Sequence, residues 1–352
     1  MTVSKLPIYL RVALSLLSLA VFVTIAEVAV RLARVDTTFQ NRLFTLNRNL
    51  DYPDVFLRDR DLFWRFRPGQ VITSEFFDGK TYRINSSGLR GEEIAPRKTK
   101  PRVIAFGNSC TFGWGIPYED TYPARLEMML EGAYEVINAG IPGYTTLQAK
   151  RFFERDLGRL QPDVVLLLFA WNDHWAAAHQ IADKDQQFPP AAIITVQNLL
   201  SRSHAYCLLK KLLLATIEPD RDSVVDRSAV VYRVGPDDFR GNLQELCRLA
   251  RAAGATPVLL TSPIPSLTTY YPPGAISPMH RFHNLYNDVI RDLARVDRVD
   301  LVDLALEFDR YSDLFDRAAD DPIHFNAKGH QIAAEMLNAY LREHHPPAAV
   351  PR

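Results

Sequence analysis

Three residue types that could do chemistry together, a serine, a histidine and an aspartate, stand out in this sequence. Ser109 follows the apolar, partly β-branched run "RVIAFG", two positions after Gly107. The segment "DDPIHFNAKGH" holds Asp321 and His324 just before a helix that Asn326 is expected to cap. A serine hydroxyl becomes a good nucleophile only when a base takes its proton. Taken singly, Ser109 is an ordinary turn serine, and a D-x-x-H pair is usually a capping or surface pair.

The elements that must position these residues follow from the hydrophobic pattern after residue 102. The strand candidates are "RVIAFG", "YEVINAG", "PDVVLLLFA", "TPVLLTSP" and "RVDLVDL". Helical patterns lie between them, at 122–130, 146–157, 237–253 and 280–295. Continuous apolar strands that alternate with helices predict a parallel sheet covered on both faces. Ligands in such folds bind at the carboxyl ends of the strands, and Ser109, Gly143 and Asn172 each lie just beyond such an end.

Four separated segments carry the candidate site: "FGNSCTFG", "INAGIPGYTT", "FAWNDHW" and "DDPIHFNAKGH". Together and in this order, they resemble the four blocks of the SGNH (GDSL-type) hydrolase superfamily in its membrane-anchored bacterial form. The resemblance covers residues 102–343. It implies an α/β fold of three layers, flavodoxin-like, with a parallel five-stranded sheet. It implies neither a cofactor nor a metal.

The resemblance also implies roles for the candidate residues. Ser109 would be the nucleophile, His324 the base, and Asp321 the carboxylate that orients the imidazole. Asp320 is adjacent to Asp321, but the D-x-x-H spacing favours Asp321. The donors to the oxyanion would be the backbone N–H groups of Ser109 and Gly143 and the side-chain amide of Asn172.

Some positions depart from the family pattern or have two interpretations. Asn108 replaces the aspartate of the usual Gly-Asp-Ser. Because that aspartate is mainly a structural hydrogen-bonding group in the family, the replacement puts the fine adjustment of the site in doubt more than the reaction itself. Ala170 replaces a glycine two residues before Asn172 and is expected to narrow the site. Three tryptophans near the predicted site are either core residues or platforms for stacking a sugar: Trp114, Trp171 and Trp175.

The N-terminus predicts a single membrane anchor. Residues 6–30 are apolar except for Arg11 and Glu27, and at about 1.5 Å per residue a helix of this length exceeds the roughly 30 Å hydrocarbon layer. A cleaved signal peptide and a buried helix are the alternatives, but no clear small-x-small cleavage site follows the apolar run. Basic residues flank both ends, so the positive-inside rule gives no clear orientation, and the excess after the apolar run leans slightly against an external domain. We predict a single-pass protein of the inner membrane with a periplasmic or extracellular catalytic domain.

The predicted organisation is an anchor at 1–35, a β-rich cap or linker at 36–100, a hydrolase domain at 101–345 and a tail at 346–352. Within the cap, residues 70–85 read as two strands joined by an Asp-Gly turn. The hydrolase domain carries a helical insertion at 174–236 that contains the amphipathic stretch "NLLSRSHAYCLLKKLLLATI". This insertion is either a lid, a helical pair packed on the core, or a contact with the membrane surface through Lys210 and Lys211.

Composition and motif searches exclude several other classes. Lysine plus arginine and aspartate plus glutamate each total 41, so no basic excess suggests nucleic acid as a partner. The 3 cysteines are too widely spaced for a metal pair or a disulfide framework. The sequence contains no GxSxG, HExxH, Walker A or GxGxxG motif. His280 and His283 have the spacing of a metal pair, but no carboxylate or cysteine cluster accompanies them in the sequence.

Three functions remain open at this point. The first is a serine esterase or acetylesterase that removes a small acyl group from a carbohydrate or lipid. The second is an O-acyltransferase that passes the acyl group to an exported polysaccharide with the same triad. The third is a membrane-anchored interaction subunit without catalysis, which the substitutions at Asn108 and Ala170 would favour.

Overall fold

The computed structural model describes residues 7–33, 35, 50, 52–73, 79–217, 230–265, 278–317 and 321–346. The chain divides into two compact units. The first unit comprises Met1–Trp64 and Phe188–Asp226, and the second comprises Arg65–Gln187 and Arg227–Arg352. The division falls inside both the predicted cap (36–100) and the predicted insertion (174–236), whose boundaries stay predictions.

The regular elements are numbered in chain order. The strands are β1 (Phe56–Asp59), β2 (Phe63–Phe66), β3 (Gln70–Thr73), β4 (Thr81–Ile84), β5 (Arg102–Gly107), β6 (Glu135–Gly140), β7 (Val164–Leu168), β8 (Thr256–Leu260) and β9 (Asp300–Val302). The helices are α1 (Ile8–Ala33), α2 (Ser109–Phe112), α3 (Tyr122–Met129), α4 (Thr146–Arg155), α5 (Ala191–Leu200), α6 (His204–Ile217), α7 (Pro236–Ala252), α8 (Pro278–Asp297), α9 (Leu304–Phe308) and α10 (Ala327–His344).

The second unit is built on a parallel five-stranded sheet in the order β6-β5-β7-β8-β9. Every residue of β5 and β7 is buried, as expected for strands that are covered by helices on both faces. Val103 and Ala105 pack in one core with Leu126 of α3 and Leu337 of α10. Phe106 faces the other way and meets the aromatic rings of α4. The predicted three-layer α/β fold is therefore confirmed.

The register of the sheet brings the ends of three strands to one edge. Gly107 at the end of β5 lies beside Gly140 of β6 and Leu168 of β7. The segments that carry Ser109, Gly143 and Asn172 leave the sheet just beyond these paired residues. Parallel pairing thus gathers residues that lie far apart in the sequence, as expected for this class of fold.

A small antiparallel hairpin precedes the sheet in the second unit. β3 pairs with β4 from Gln70↔Ile84 to Thr73↔Thr81, which confirms the two strands predicted at 70–85. Asp78 of the predicted Asp-Gly turn lies outside the described residues. β1 and β2 form a further two-stranded sheet.

The first unit contains α1 and the helices α5 and α6. Within the described ranges, α1 is the one helix long and apolar enough to cross a membrane, and it spans 26 residues. The stretch predicted as one amphipathic helix (198–217) is two helices, because the chain breaks at residues 201–203 between α5 and α6. The hydroxyl of Ser203 accepts a hydrogen bond from the backbone N–H of Tyr206, at 3.1 Å, and so caps α6.

Candidate active site

Ser109 is the first residue of α2 and follows β5 after a tight turn. A side chain at Gly107 would meet the carbonyl oxygen of Leu168 at 2.6 Å, so the close approach of the strands requires glycine here. Asn108 caps α2, because its side-chain oxygen accepts from the backbone N–H of Cys110 at 3.0 Å. This cap needs only an acceptor, which explains how an amide can stand where the family has a carboxylate.

Ser109, His324 and Asp321 are joined by direct hydrogen bonds. The Nε2 atom of His324 lies 2.8 Å from Oγ of Ser109, and its Nδ1 atom lies 2.8 Å from Oδ2 of Asp321. A single neutral tautomer satisfies both contacts, with Nδ1–H donating to the carboxylate and Nε2 accepting from the hydroxyl. In this state the imidazole is ready to take the proton of the serine hydroxyl.

The carboxylate of Asp321 is fixed by the backbone of its own loop. Its Oδ1 atom accepts from the backbone N–H groups of Ile323 and His324, each at 3.2 Å. Burial raises the pKa of Asp321, but hydrogen bonds from the ring and backbone of His324 and from the backbone of Ile323 outweigh burial and hold this pKa below its ordinary value. Asp321 therefore stays ionised at neutral pH and keeps the ring of His324 oriented.

Trp114 lies against the other side of the histidine. Its ring stacks on the ring of His324 at 5.5 Å between centroids and 17° between planes. The loop that carries Trp114 is held by Arg90, whose buried guanidinium donates to the carbonyl oxygens of Phe112, Gly113 and Ile116 at 2.6–2.7 Å. Of the other two tryptophans, Trp171 is a core residue at 1% exposure, whereas Trp175 is 40% exposed.

Gly143 and Asn172 lie on neighbouring loops at the same edge of the sheet. Gly143 has a φ of 83°, a conformation that favours glycine. The amide of Asn172 donates to the carbonyl oxygen of Tyr144, at 3.1 Å, which links the two loops and fixes the orientation of this side chain. The structure thus joins Ser109, His324 and Asp321 directly, while the role of Gly143 and Asn172 as oxyanion donors stays a prediction.

The Gly143 loop rests on a buried ion pair that sequence reasoning missed. Arg233, 2% exposed, donates to the carbonyl oxygen of Gly143 at 2.8 Å and to Oε1 of Gln148 at 2.9 Å. The same guanidinium pairs with the carboxylate of Asp183 at 2.8 Å. Asp183 in turn accepts from the hydroxyl of Thr145 at 3.1 Å. No local motif in the sequence marks this pair, because its members come from opposite ends of a long insertion.

Asp173, next to Asn172, ties the same region to the start of α4. Its Oδ1 atom accepts from the backbone N–H and the hydroxyl of Thr146, at 2.8 Å and 2.6 Å. Complete burial raises the pKa of Asp173 to about 7, although both hydrogen bonds from Thr146 oppose the shift. Asp173 is therefore a buried residue that stabilises the loop carrying Asn172.

Two further histidines, His174 and His283, are buried and in contact with each other. His174 Nε2 lies 3.1 Å from Nδ1 of His283, and Nε2 of His283 lies 2.7 Å from the carbonyl oxygen of Ser262. Burial lowers the pKa of His174 to about 4 and that of His283 to about 3, so both are neutral at pH 7. Both nitrogens of His283 are thus engaged by protein atoms, and the residues that the structure describes hold no group of three potential metal ligands.

Ala170 carries backbone strain beside the site, which leads to a stability prediction. Its φ of 137° lies in a region that L-residues rarely adopt, and such strain costs about 1–3 kcal/mol. Ala170→Gly removes this strain. Ala105→Gly is the matched control, since Ala105 is equally buried within β5 and each change removes one methyl group. We expect Ala170→Gly to be more stable than Ala105→Gly by about 1–3 kcal/mol in denaturant unfolding. Equal losses of stability in the two variants would contradict the proposed backbone strain at Ala170.

Comparison with known proteins finds a matching family model, a bacterial lipoprotein of similar sequence and solved structures of esterases. The model of the "GDSL-like Lipase/Acylhydrolase family" matches residues 105–332, more than half of the chain. The lipoprotein YqeF of Bacillus subtilis (strain 168) is 26% identical over 219 residues, which cover 57% of this chain and 69% of that protein. The similar solved structures include two esterases. An acetyl xylan esterase is 20% identical with a TM-score of 0.45, covering 68% of this chain and 99% of its own. An acetylxylan esterase from Geobacillus stearothermophilus is 19% identical with a TM-score of 0.45, covering 69% and 93%.

Proposed function

Because the chain belongs to the GDSL-like lipase/acylhydrolase family, a family of ester-hydrolysing enzymes, we propose that it is a serine esterase with Ser109 as its nucleophile. One observation carries this assignment: hydrogen bonds run from Oγ of Ser109 through both ring nitrogens of His324 to the carboxylate of Asp321. Acyl transfer by a serine requires such a series of hydrogen bonds. A serine in a turn or an aspartate that caps a helix does not require it.

The proposed reaction begins with acylation of Ser109. Nε2 of His324 takes the hydroxyl proton as Oγ attacks the carbonyl carbon of the ester. The resulting imidazolium is stabilised by the ionised carboxylate of Asp321. It then returns its proton to the leaving alcohol oxygen as the C–O bond breaks, which leaves an acyl-Ser109 ester. In the second half-reaction His324 deprotonates water, which attacks the acyl carbon. The bond between this carbon and Oγ then breaks, the imidazolium returns its proton to Oγ, and the carboxylic acid is released.

The oxyanion of each tetrahedral intermediate would be held at the edge of the sheet. We assign the backbone N–H groups of Ser109 and Gly143 and the amide of Asn172 as its donors. In support, no hydrogen bond found among the described residues uses the backbone N–H of Ser109 or of Gly143. Losing one donor of this kind typically costs about 2.7–4 kcal/mol of transition-state stabilisation.

The proposed substrate is an ester of a small acyl group, such as acetyl, on a carbohydrate or lipid. Ser109 is only 7% exposed, which favours a short acyl chain at the nucleophile. Trp114, half-buried beside His324, is in a position to contact the leaving alcohol. We further propose that α1 anchors the enzyme in the inner membrane as a single pass, with the catalytic unit in the periplasm or outside the cell.

Labelling with a fluorophosphonate tests the assignment of Ser109. The full-length protein in detergent is reacted with the probe, and the modified peptide is identified by mass spectrometry. We expect the label on Ser109, its loss in Ser109→Ala, and slower labelling in His324→Ala. Ser262→Ala is the matched control and should label like the wild type, because Ser262 is a buried serine just after β8 whose hydroxyl has no hydrogen-bond partner among the described residues.

Two results would contradict the proposal. A folded wild-type protein that takes up no label would favour the non-catalytic interaction subunit. A label on a serine other than Ser109 would move the nucleophile elsewhere in the chain. Circular dichroism of each variant separates either result from unfolding.

A further inference from the structure

The exposed face of α5 is almost wholly apolar. Four large apolar side chains on this helix are 43–63% exposed: Ile193, Val196, Leu199 and Leu200. The only polar side chain exposed on α5 is that of Thr195, and its hydroxyl donates to the carbonyl oxygen of Ala191 at 3.0 Å. The outer face of α5 therefore offers water no free side-chain donor.

The outer face of α6 has the same character. All the exposed side chains described on this helix are leucines, at 44–57% exposure: Leu209, Leu212 and Leu213. The spacing places them on one side of the helix. By contrast, α7 exposes polar side chains such as Gln244, Arg248 and Arg251, as helices that face water do. We call the exposed apolar residues of α5 and α6 the α5–α6 surface.

The segment that carries this surface contains no acidic residue. Residues 188–217 contain no aspartate or glutamate. Of their basic residues Arg202 is exposed, whereas Lys211 is buried and Nζ of Lys210 is enclosed by the protein. An apolar helix face accompanied by basic residues alone is typical of helices that lie in the interface of a membrane with anionic lipids. A protein partner with an acidic surface would meet mostly leucine, valine and isoleucine here. Its carboxylates would therefore have few basic side chains to pair with.

Contacts within the first unit tie the α5–α6 surface to the end of α1. Glu27, near that end, accepts hydrogen bonds from the hydroxyl of Ser203 at 2.7 Å and from the backbone N–H groups of His204 and Ala205 at 3.1 Å and 3.0 Å. Arg31 donates to the carbonyl oxygen of Arg202 at 2.9 Å. The turn between α5 and α6 is thus fastened to the last two turns of α1.

These contacts decide at what depth α5 and α6 lie if α1 crosses the bilayer. At about 1.5 Å per residue, α1 is about 39 Å long, which exceeds the hydrocarbon layer of roughly 30 Å. Its last turns, with Glu27 and Arg31, then reach the layer of lipid headgroups. The start of α6 and the end of α5 lie at the same level, since they bond to these residues.

We propose that the α5–α6 surface is a second membrane contact, in which both helices lie in the lipid interface with their exposed leucines, isoleucine and valine in the acyl region. The occupant of this surface is the bilayer that α1 crosses, so the proposal rests on the anchoring by α1. The anionic headgroups of that bilayer would meet the exposed side chain of Arg202. The contact would hold the chain to the membrane surface independently of catalysis.

Spin labels on the full-length protein in bilayers test this proposal. The protein is reconstituted in nanodiscs of phosphatidylcholine and phosphatidylglycerol, with one cysteine introduced in turn as Leu199→Cys, Leu212→Cys, Leu17→Cys or Arg251→Cys. The native cysteines are buried, which directs a nitroxide reagent to the new thiol. Collision rates with oxygen and with a water-soluble nickel complex report the depth of each label. Leu17, in α1, reports the anchor, and Arg251, on α7, reports a helix that faces water.

We expect the labels at 199 and 212 to lose collisions with nickel and gain collisions with oxygen relative to the label at 251. Labels at 199 and 212 that collide with nickel as often as the one at 251, while the label at 17 is immersed, would overturn the proposal and leave the anchor intact. A label at 17 that is not immersed would overturn both. Spin–spin broadening at 199 that vanishes on dilution with unlabelled chain would assign the surface to a second copy instead.

Discussion

Asp321→Asn is expected to lower kcat by about 10⁴-fold while the protein stays folded. The reason is the direction of one hydrogen bond. The carboxylate accepts from Nδ1–H of His324, at 2.8 Å, and so leaves Nε2 free to take the proton of Ser109. The amide of asparagine can instead donate to Nδ1, which places the ring proton on Nε2. That tautomer cannot accept from the hydroxyl, and the serine loses its base.

The measurement is kcat for hydrolysis of a chromogenic acetate ester, with circular dichroism to confirm folding. Asp313→Asn is the control, because Asp313 is a surface carboxylate paired with Lys328 at 2.7 Å and touches neither His324 nor Ser109. We expect its kcat to equal that of the wild type. If Asp321→Asn were fully active and Asp320→Asn inactive, the orienting carboxylate would be Asp320, which lies outside the described residues.

Asp321→Asn is also expected to change how the stability of the protein depends on pH. The pKa of Asp321 in the folded protein lies below its ordinary value of 3.8, despite burial, because of the hydrogen bonds from His324 and Ile323. A depressed pKa contributes stability that is present above pH 3.8 and is lost as the pH falls through the folded value. Asp321→Asn should therefore show a smaller loss of stability on acidification than the wild type.

The parts of the fold that sequence could predict are those set by local pattern. β5 and β7 are continuous apolar runs, and buried parallel strands require this composition. The geometry of Asp321 and His324 is equally local, since three residues of one loop place the carboxylate against the ring. Ser109 could be proposed because its strand, its glycine and the four segments in order all pointed to one edge of a sheet.

What the sequence could not predict depends on pairings between distant segments. Arg90 holds the Trp114 loop through three carbonyl oxygens, and no pattern in the sequence connects an arginine with backbone acceptors. The break between α5 and α6 is similar. Apolar residues recur at helical spacing on both sides of residues 201–203, but the hydroxyl of Ser203 and the carboxylate of Glu27 satisfy the free backbone N–H groups there. Tertiary contacts thus decide where a helix ends.

Arg233 is the distant residue with the largest expected effect, as a positioning residue for Gly143. Its guanidinium donates to the carbonyl oxygen of Gly143 at 2.8 Å and is paired with the buried carboxylate of Asp183. Arg233→Met frees the Gly143 loop and leaves Asp183, 3% exposed, without its counter-ion. Breaking a buried pair in this way costs about 3–5 kcal/mol of stability. We also expect kcat to fall about 10- to 100-fold, because a small displacement of a positioned group is costly in the transition state.

The double variant Arg233→Met/Asp183→Leu separates the two effects. It removes the uncompensated charge, so the free energy of unfolding should return toward that of the wild type. It does not restore the hydrogen bond to Gly143, so kcat should stay low while KM for a small ester changes little. Denaturant unfolding and steady-state kinetics on both variants measure this split. Recovery of kcat together with stability would show that Arg233 only stabilises the fold. A persistent loss of kcat in a stable protein would mean that the ion pair sets the direction of the Gly143 backbone N–H and, through it, the stabilisation of the oxyanion.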